Sequence, residues 1–134
     1  PTFHGRDVFA PVAAHLSLSI RPSELGSPVK KLICLNVHPP LVRRNSVKGR
    51  AIFVDHFGTL ITNIQQSHLR GDVVRVDVGD ATISGRLSTT FANRDGLVAL
   101  IGSRGYLEIA ENLGSAARRL QAGVGTEVEV RLDG

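Results

Sequence analysis

Most of the chain after residue 29 consists of short apolar or alternating runs separated by Gly, Asp, Asn and Pro. Alternation of apolar and polar residues is typical of strands with one buried face, and it is strictest in residues 126–132. The five-residue apolar run at 97–101 is too short to favour a helix and is typical of a buried strand. The pattern predicts strands at residues 32–37, 49–55, 60–64, 73–78, 81–87, 89–91, 97–101, 106–111 and 126–132.

Glycines mark the turns between several of these strands. Gly58 and Gly79 each separate two neighbouring strands and so predict hairpins, and Gly102 and Gly105 frame a third turn. About eight short strands with a turn signal roughly every 8–12 residues are typical of an antiparallel β-barrel or sandwich rather than an α/β fold. We therefore expect a compact, mainly β domain.

Two segments outside the strands have a helical pattern. Val8, Val12 and Leu16 recur at helical spacing and predict an N-terminal helix over residues 7–18. Near the C-terminus, Ser115 is a capping residue for a short helix at 115–120. The segment 106–111 also fits a helical stripe, but the glycines on either side of it favour a strand.

The N-terminal segment predicts a boundary between domains. The chain begins without Met directly before the first helix, and two Pro and a Gly in residues 21–28 predict a linker or irregular turn. We expect residues 1–20 to be the tail of an N-terminal α/β domain that this sequence lacks, and residues 21–134 to form a C-terminal β-barrel domain.

Composition narrows the class of protein. At 134 residues, with 42% hydrophobic and 21% charged, the chain suits one globular domain. It has no apolar run of about 18 residues and no signal-peptide pattern, so we expect a cytoplasmic protein with no membrane contact. The single cysteine, Cys34, lies in an apolar run and is expected to be a core thiol.

The net charge of +4 favours anionic partners in general. The basic residues are nevertheless spread in ones and twos, and aromatic residues make up only 4%. Proteins that bind single-stranded nucleic acid use more rings as a stacking platform. The composition therefore fits a small anionic or zwitterionic ligand at least as well as nucleic acid.

Polar side chains collect at three predicted strand ends. Asp55 follows one strand, Ser103 and Arg104 form the turn after another, and Asn112 follows a third. Arg can bind a carboxylate through two hydrogen bonds, so Asp55 and Arg104 could hold the amino and carboxylate ends of an amino acid. Each residue also has an ordinary structural interpretation, as a turn-forming Asp, a solvated Arg or a loop Asn.

No other catalytic pattern stands out in the sequence. The five His show no metal-ligand spacing with Cys or carboxylates, so no metal site is expected. The sequence also contains neither a Gly-rich phosphate loop nor a nucleophile elbow.

The chain resembles one family in three places. The matching stretches are residues 2–11 (TFHGRDVFAP), 54–64 (VDHFGTLITNI), and 101–110 (IGSRGYLEIA) with 114–117 (GSAA). They are similar to the C-terminal half of the S-adenosylmethionine (SAM) hydroxide adenosyltransferases, which are adenosine-forming SAM hydrolases related to the SAM-dependent fluorinase and chlorinase. The stretches follow the family's order, whereas the family's N-terminal α/β domain has no counterpart here.

The resemblance implies an activity and an assembly. Water would attack the ribose C5′ of SAM and release adenosine and methionine, with SAM as the substrate and no cofactor. In that family the C-terminal barrel of one chain closes over the N-terminal domain of its neighbour in a homotrimer. The implied partners are therefore SAM or adenosine and the missing N-terminal domain.

At the methionine end of SAM, the resemblance implies three binding residues. Asp55, Ser103 and Arg104 would hold the amino and carboxylate groups. His4 matches the catalytic His that helps to orient the water. Gly5 stands where fluorinases have a halide-contacting Ser, which favours water over fluoride.

At the nucleoside end, Phe57 and Phe91 would pack on the adenosine, while Thr59, Asn112 and Leu113 would contact adenine. Two positions depart from the family's pattern. Thr59 replaces a usual Asn, and Glu111 replaces an Arg of the fluorinases, so that Arg contact does not transfer.

The missing domain leads to an expectation about the chain alone. Displacement at carbon needs an in-line nucleophile and an enclosed sulfonium, and a single barrel supplies about half of that enclosure. We expect the 134 residues alone to bind SAM weakly and to be inactive.

Two other functions remain open from the sequence. A non-catalytic β-barrel module for RNA or another anionic ligand fits the net positive charge. A structural domain that self-associates through an apolar rim would also fit.

Overall fold

The structure is a computed structural model that describes residues 2–33, 37–91 and 95–133. The chain divides into two compact units, Pro1–Leu35 and Asn36–Gly134. We describe each by itself.

The N-terminal unit is helical. A π-helical turn at Gly5–Phe9 continues into α1 (Ala10–Ser17), and a short helix, α2 (Pro22–Leu25), follows. Pro11 is the second residue of α1 and has no N–H, so one helical hydrogen bond to the preceding π-helical turn is not made. The predicted N-terminal helix is confirmed, and α2 occupies part of the segment predicted as a linker.

No described residue of this unit is buried. None of the helices in the described residues has the length and apolar character needed to cross a membrane.

The predicted strand at 32–37 is wrong at the positions that the structure describes. Leu32, Ile33 and Val37 lie outside regular structure and are exposed. An apolar side chain favours burial, but apolar character alone does not make a strand. The predicted core position of Cys34 lies outside the described residues.

The second unit is a mainly antiparallel β domain, as predicted. Its described part contains β1 (Leu41–Val42), β2 (Ser46–Val54), β3 (Leu60–Gln65), β4 (Val73–Val78), β5 (Ala81–Ser84), β6 (Leu97–Ile101), β7 (Tyr106–Glu111), β8 (Glu127–Leu132), a 3₁₀ turn at Gln66–His68 and the short helix α3 (Ala116–Arg119).

The strands form one sheet in the order β5-β4-β8-β2-β3-β7-β6, with β1 paired to β2. The sheet curls into a nearly closed barrel. The long strand β2 makes this possible, because its first half pairs with β8 and its second half with β3. The register shifts between Ala51 and Phe53, where β2 passes from one partner to the other.

The core is lined by the inward side chains of the strands. Leu60, Ile64, Leu107 and Ile109 are fully buried, together with Val residues of β2, β4 and β8. Burial of each such side chain contributes on the order of 1.5–3 kcal/mol. A separate small cluster, made of Val98, Leu100 and Ala110, is buried on the other face of β6 and β7. The candidate site lies on this outer face of the barrel.

Two predicted strands differ from the structure. The segment 81–87 is a strand only to Ser84, because the chain turns at Gly85, whose φ is +94°. The predicted strand at 89–91 is instead a bend and turn, and only Ser88 forms an isolated bridge, with Leu100.

Candidate functional site

A concavity of about 780 Å³ opens on the barrel between the β2–β3 turn and the segment that follows β7. Ala110 of β7 lies in its lining. Six of the eight residues that the resemblance assigns to SAM binding also line it: Asp55, Phe57, Thr59, Phe91, Asn112 and Leu113.

Asp55 organises the β2–β3 turn. Its Oδ1 accepts hydrogen bonds from the backbone N–H groups of Phe57 (3.0 Å) and Thr59 (2.8 Å). Its backbone C=O accepts from the N–H of Gly58. Among the described residues, Oδ2 has no hydrogen-bond partner. Asp55 therefore closes the turn with one oxygen, and its other oxygen makes no hydrogen bond to the residues that the structure describes.

Gly58 holds this turn against α3. A Cβ on Gly58 would collide with Oγ of Ser115, and the φ of Gly58 is +86°. The backbone C=O of Gly58 accepts a hydrogen bond from Ala117, and Ser115 caps α3 by accepting one from Arg118. The neighbouring Phe57 is 77% exposed.

Leu113 has an unusual backbone and an unusual exposure. Its φ is +55°, in the left-handed region that non-glycine residues rarely adopt, and its side chain is 103% exposed. The neighbouring amides are used, since Asn112 donates to Gly96 and Gly114 donates to Glu111. The N–H and C=O of Leu113 have no partner among the described residues, so they are available to a ligand.

Glu111 has a structural partner of its own. It forms an ion pair with Arg119 at 2.6 Å, and a Cβ on Gly114 would collide with its carboxylate. Glu111, at the position where fluorinases have an Arg, thus links the end of β7 to α3 through Arg119.

The Ser103–Arg104 turn lies at the other end of β7 from Asn112. It is closed by a hydrogen bond from Gly105 to the C=O of Gly102, and both side chains are exposed. Arg104 borders a second hollow beside Gln65 and does not line the concavity of Asp55. The structure therefore separates two of the eight predicted binding residues from the other six.

Glu108 lies on β7, between the Ser103–Arg104 turn and the concavity of Asp55. It is not among the binding residues predicted from the sequence. Burial and the Asp55 carboxylate raise the pKa of Glu108, while the Arg104 guanidinium opposes that rise. Asp55 and Arg104 thus both act on one carboxyl group in the middle of β7. The signal that could have found it is a charged residue on the same strand face as Ala110.

His4, the predicted catalytic residue, belongs to the N-terminal unit. It stands at the start of the π-helical turn, is exposed, and makes no side-chain capping bond.

Comparison with known proteins identifies the family of the chain. The family model described as SAM hydroxide adenosyltransferase C-terminal domain matches residues 49–129. The (R)-S-adenosyl-L-methionine hydrolase of Thermus thermophilus is 40% identical over 121 residues, which cover 89% of this chain and 45% of the hydrolase. The fluorinase of Nocardia brasiliensis is 31% identical, with 97% of this chain and 49% of the fluorinase covered.

A crystal structure of a conserved protein from Thermotoga maritima has the same fold, with a TM-score of 0.68 and 37% identity. The alignment covers 97% of this chain and 52% of that one. The chain spans about half the length of the curated relatives it matches. The match to the family model extends over more than half of the chain, and the chain therefore belongs to the SAM hydroxide adenosyltransferase C-terminal domain family.

Proposed function

We propose that this chain is the SAM-binding C-terminal part of an enzyme that hydrolyses SAM to adenosine and methionine. The observation that carries the proposal is the concavity in which six of the implied SAM-binding residues meet. The names of the relatives support the same substrate, since they are a SAM hydrolase and a fluorinase.

The free oxygen of Asp55 would bind the α-ammonium group of SAM, and Ser103 and Arg104 would bind its carboxylate. Phe57 and Phe91 would pack on the adenosine. The unpaired peptide groups of Leu113 would hydrogen-bond the adenine edge, with Asn112 and Thr59 beside them. The ligand would thus cross the outer face of β7 from one end to the other.

In the reaction, the oxygen of water forms a bond to C5′ while the C5′–S bond breaks and its electron pair returns to sulfur. The attacking water gives up one proton, which leaves to solvent with the products, and His4 would help to orient that water. The step needs an in-line nucleophile and the exclusion of bulk water. An open concavity covers the ligand on one side only. A domain from outside this sequence, contributed by a neighbouring chain of a homotrimer, would close the other side.

This proposal predicts that the 134-residue chain alone releases no adenosine. Joining it to the portion of the Thermus thermophilus hydrolase that it does not cover should restore hydrolysis, detected as adenosine and methionine by liquid chromatography. Because Gly5 stands where fluorinases have Ser, added fluoride should give no fluorinated nucleoside.

Arg104→Gln in the same chimera should raise KM about tenfold or more, because a charge-assisted carboxylate contact is lost. A folded chimera that neither binds SAM nor forms adenosine would overturn the proposal. Rapid adenosine release by the chain alone would contradict the assignment of half a site to it.

A further inference from the structure

Glu108 lies on the outer face of the barrel, between the two ends of the proposed site. Strand pairing places it opposite Ile61 of β3 and Leu100 of β6. Its neighbours Leu107 and Ile109 are fully buried in the core, so Glu108 shares the opposite face with Ala110, which lines the concavity. The residue is therefore on the path of a ligand that crosses β7.

The carboxylate of Glu108 reaches toward the Ser103–Arg104 turn. A Cβ on Gly102, the residue before Ser103, would collide with both Oε1 and the carboxyl carbon of Glu108. Any side chain at that position would have to displace the Glu108 carboxylate from this place. From this place it experiences the charges of both Asp55 and Arg104.

Among the described residues, Glu108 forms no ion pair and no side-chain hydrogen bond. The other half-buried acidic side chains of the strands differ, since Asp77 pairs with Arg75, Glu111 with Arg119 and Glu129 with Arg131. A carboxylate that is partly desolvated next to a second carboxylate gains from a nearby cation. Burial, and to a smaller extent the charge of Asp55, raises the pKa of Glu108. A nearby cation would stabilise the ionised carboxylate and so oppose both effects.

The charges of SAM complement this arrangement. SAM carries a positive ammonium, a negative carboxylate and a positive sulfonium. In the proposed function, Asp55 faces the ammonium and Arg104 the carboxylate, which leaves the sulfonium without an opposite charge. We propose that Glu108 is a specificity-determining residue that faces the sulfonium and so selects SAM over its uncharged thioether analogue, S-adenosylhomocysteine. This inference rests on the proposed function of the site.

The test uses the 134-residue chain labelled with ¹⁵N, since backbone amide shifts report weak binding. Titrations with SAM and with S-adenosylhomocysteine give a dissociation constant for each. We expect the wild-type chain to prefer SAM, and Glu108→Gln to reduce that preference about three- to fivefold by weakening SAM alone. Glu108→Asp should keep part of the preference, because the charge remains.

Glu129→Gln is the matched control. It removes the same charge from a residue of β8 that pairs with Arg131 and does not line the concavity, so the ratio of the two constants should stay at the wild-type value. If Glu108→Gln binds both ligands with the wild-type ratio, the role of Glu108 is wrong while the proposed function stands. If SAM shifts no amide of the wild-type chain, the proposed function fails and this inference fails with it.

Discussion

In the proposed function, the Asp55 side chain would serve both the fold and a ligand. Its Oδ1 accepts two backbone hydrogen bonds that close the β2–β3 turn, and its Oδ2 has no partner among the described residues. The turn-forming role and the binding role that the sequence allows are therefore compatible, because they use different oxygens.

Two substitutions separate these roles. Asp55→Asn keeps an acceptor for the turn and removes the charge, so stability should change little while SAM binding weakens about tenfold. Asp55→Ala also removes the acceptor and should cost a further ~1 kcal/mol of stability. Urea denaturation and amide-shift titration measure the two effects. Equal loss of stability in both variants would show that the charge, not the acceptor, holds the turn.

Asp77 on β4 predicts a pH dependence. Burial would raise its pKa, but hydrogen bonds from Arg75 and Thr82 and the charges of Arg75 and Arg131 together lower it. A carboxyl whose pKa is lower in the folded state stabilises the fold above its unfolded pKa, and this contribution is lost as the pH falls through the folded pKa.

Asp77→Asn should therefore destabilise the chain at pH 7 by less than about 1 kcal/mol, since Arg75 is half exposed. The difference from wild type should shrink as the pH falls below 3.8, the ordinary pKa of Asp. Thr82→Val, which removes one hydrogen bond, should give a smaller change at pH 7. A difference that persists unchanged in acid would refute this origin.

At the scale of elements, the β2–β3 turn depends on its close contact with α3. Gly58→Ala would place a methyl group against Ser115 and would strain a residue whose φ is +86°. Gly79→Ala is the matched control, because Gly79 also has a positive φ (+55°) but its Cβ would meet no atom within 4 Å.

Gly79→Ala should cost about 1 kcal/mol from backbone conformation alone, and Gly58→Ala should cost about 1–3 kcal/mol more because the contact must also open. Thermal and urea denaturation compare the two. The same loss in both variants would mean that the contact with Ser115 carries no energy.

The strands with strict alternation were the most predictable elements. The segment Val73–Val78 is a strand at both predicted ends, because its alternation is closed by a glycine turn. The segments 32–37 and 89–91 were predicted as strands, but neither forms a strand in its described part. Whether a short segment becomes a strand depends on pairing with residues that are distant in the sequence, and the local sequence pattern carries no information on that pairing.

The site was predictable to the extent that it lies in one turn. Asp55, Phe57 and Thr59 form a single local motif, and they meet in one concavity. The position of Glu108 was not predictable from local pattern, because it follows from strand register and from the close approach of its carboxylate to Gly102. The proposed contacts of all eight residues with SAM stay predictions.

At the scale of the whole molecule, three basic side chains of the sheet are paired with acidic ones. Lys48, Arg75 and Arg131 lie on β2, β4 and β8, and each pairs with an acidic side chain, at 3.1, 2.7 and 3.2 Å respectively. Paired cations release few counterions on binding a polyanion. This surface gives no support to the alternative of an RNA-binding module.

The central proposal is that this chain forms half of the active site of a SAM hydrolase. The position at which SAM binds to the chain tests that proposal most directly. The measurement is a map of the backbone amide shifts that SAM induces in the ¹⁵N-labelled chain. We expect the largest shifts in the β2–β3 turn around Asp55, in the segment around Leu113 and in the Ser103–Arg104 turn. Shifts confined to β4, β5 and β8, or no shifts at millimolar SAM, would contradict the account.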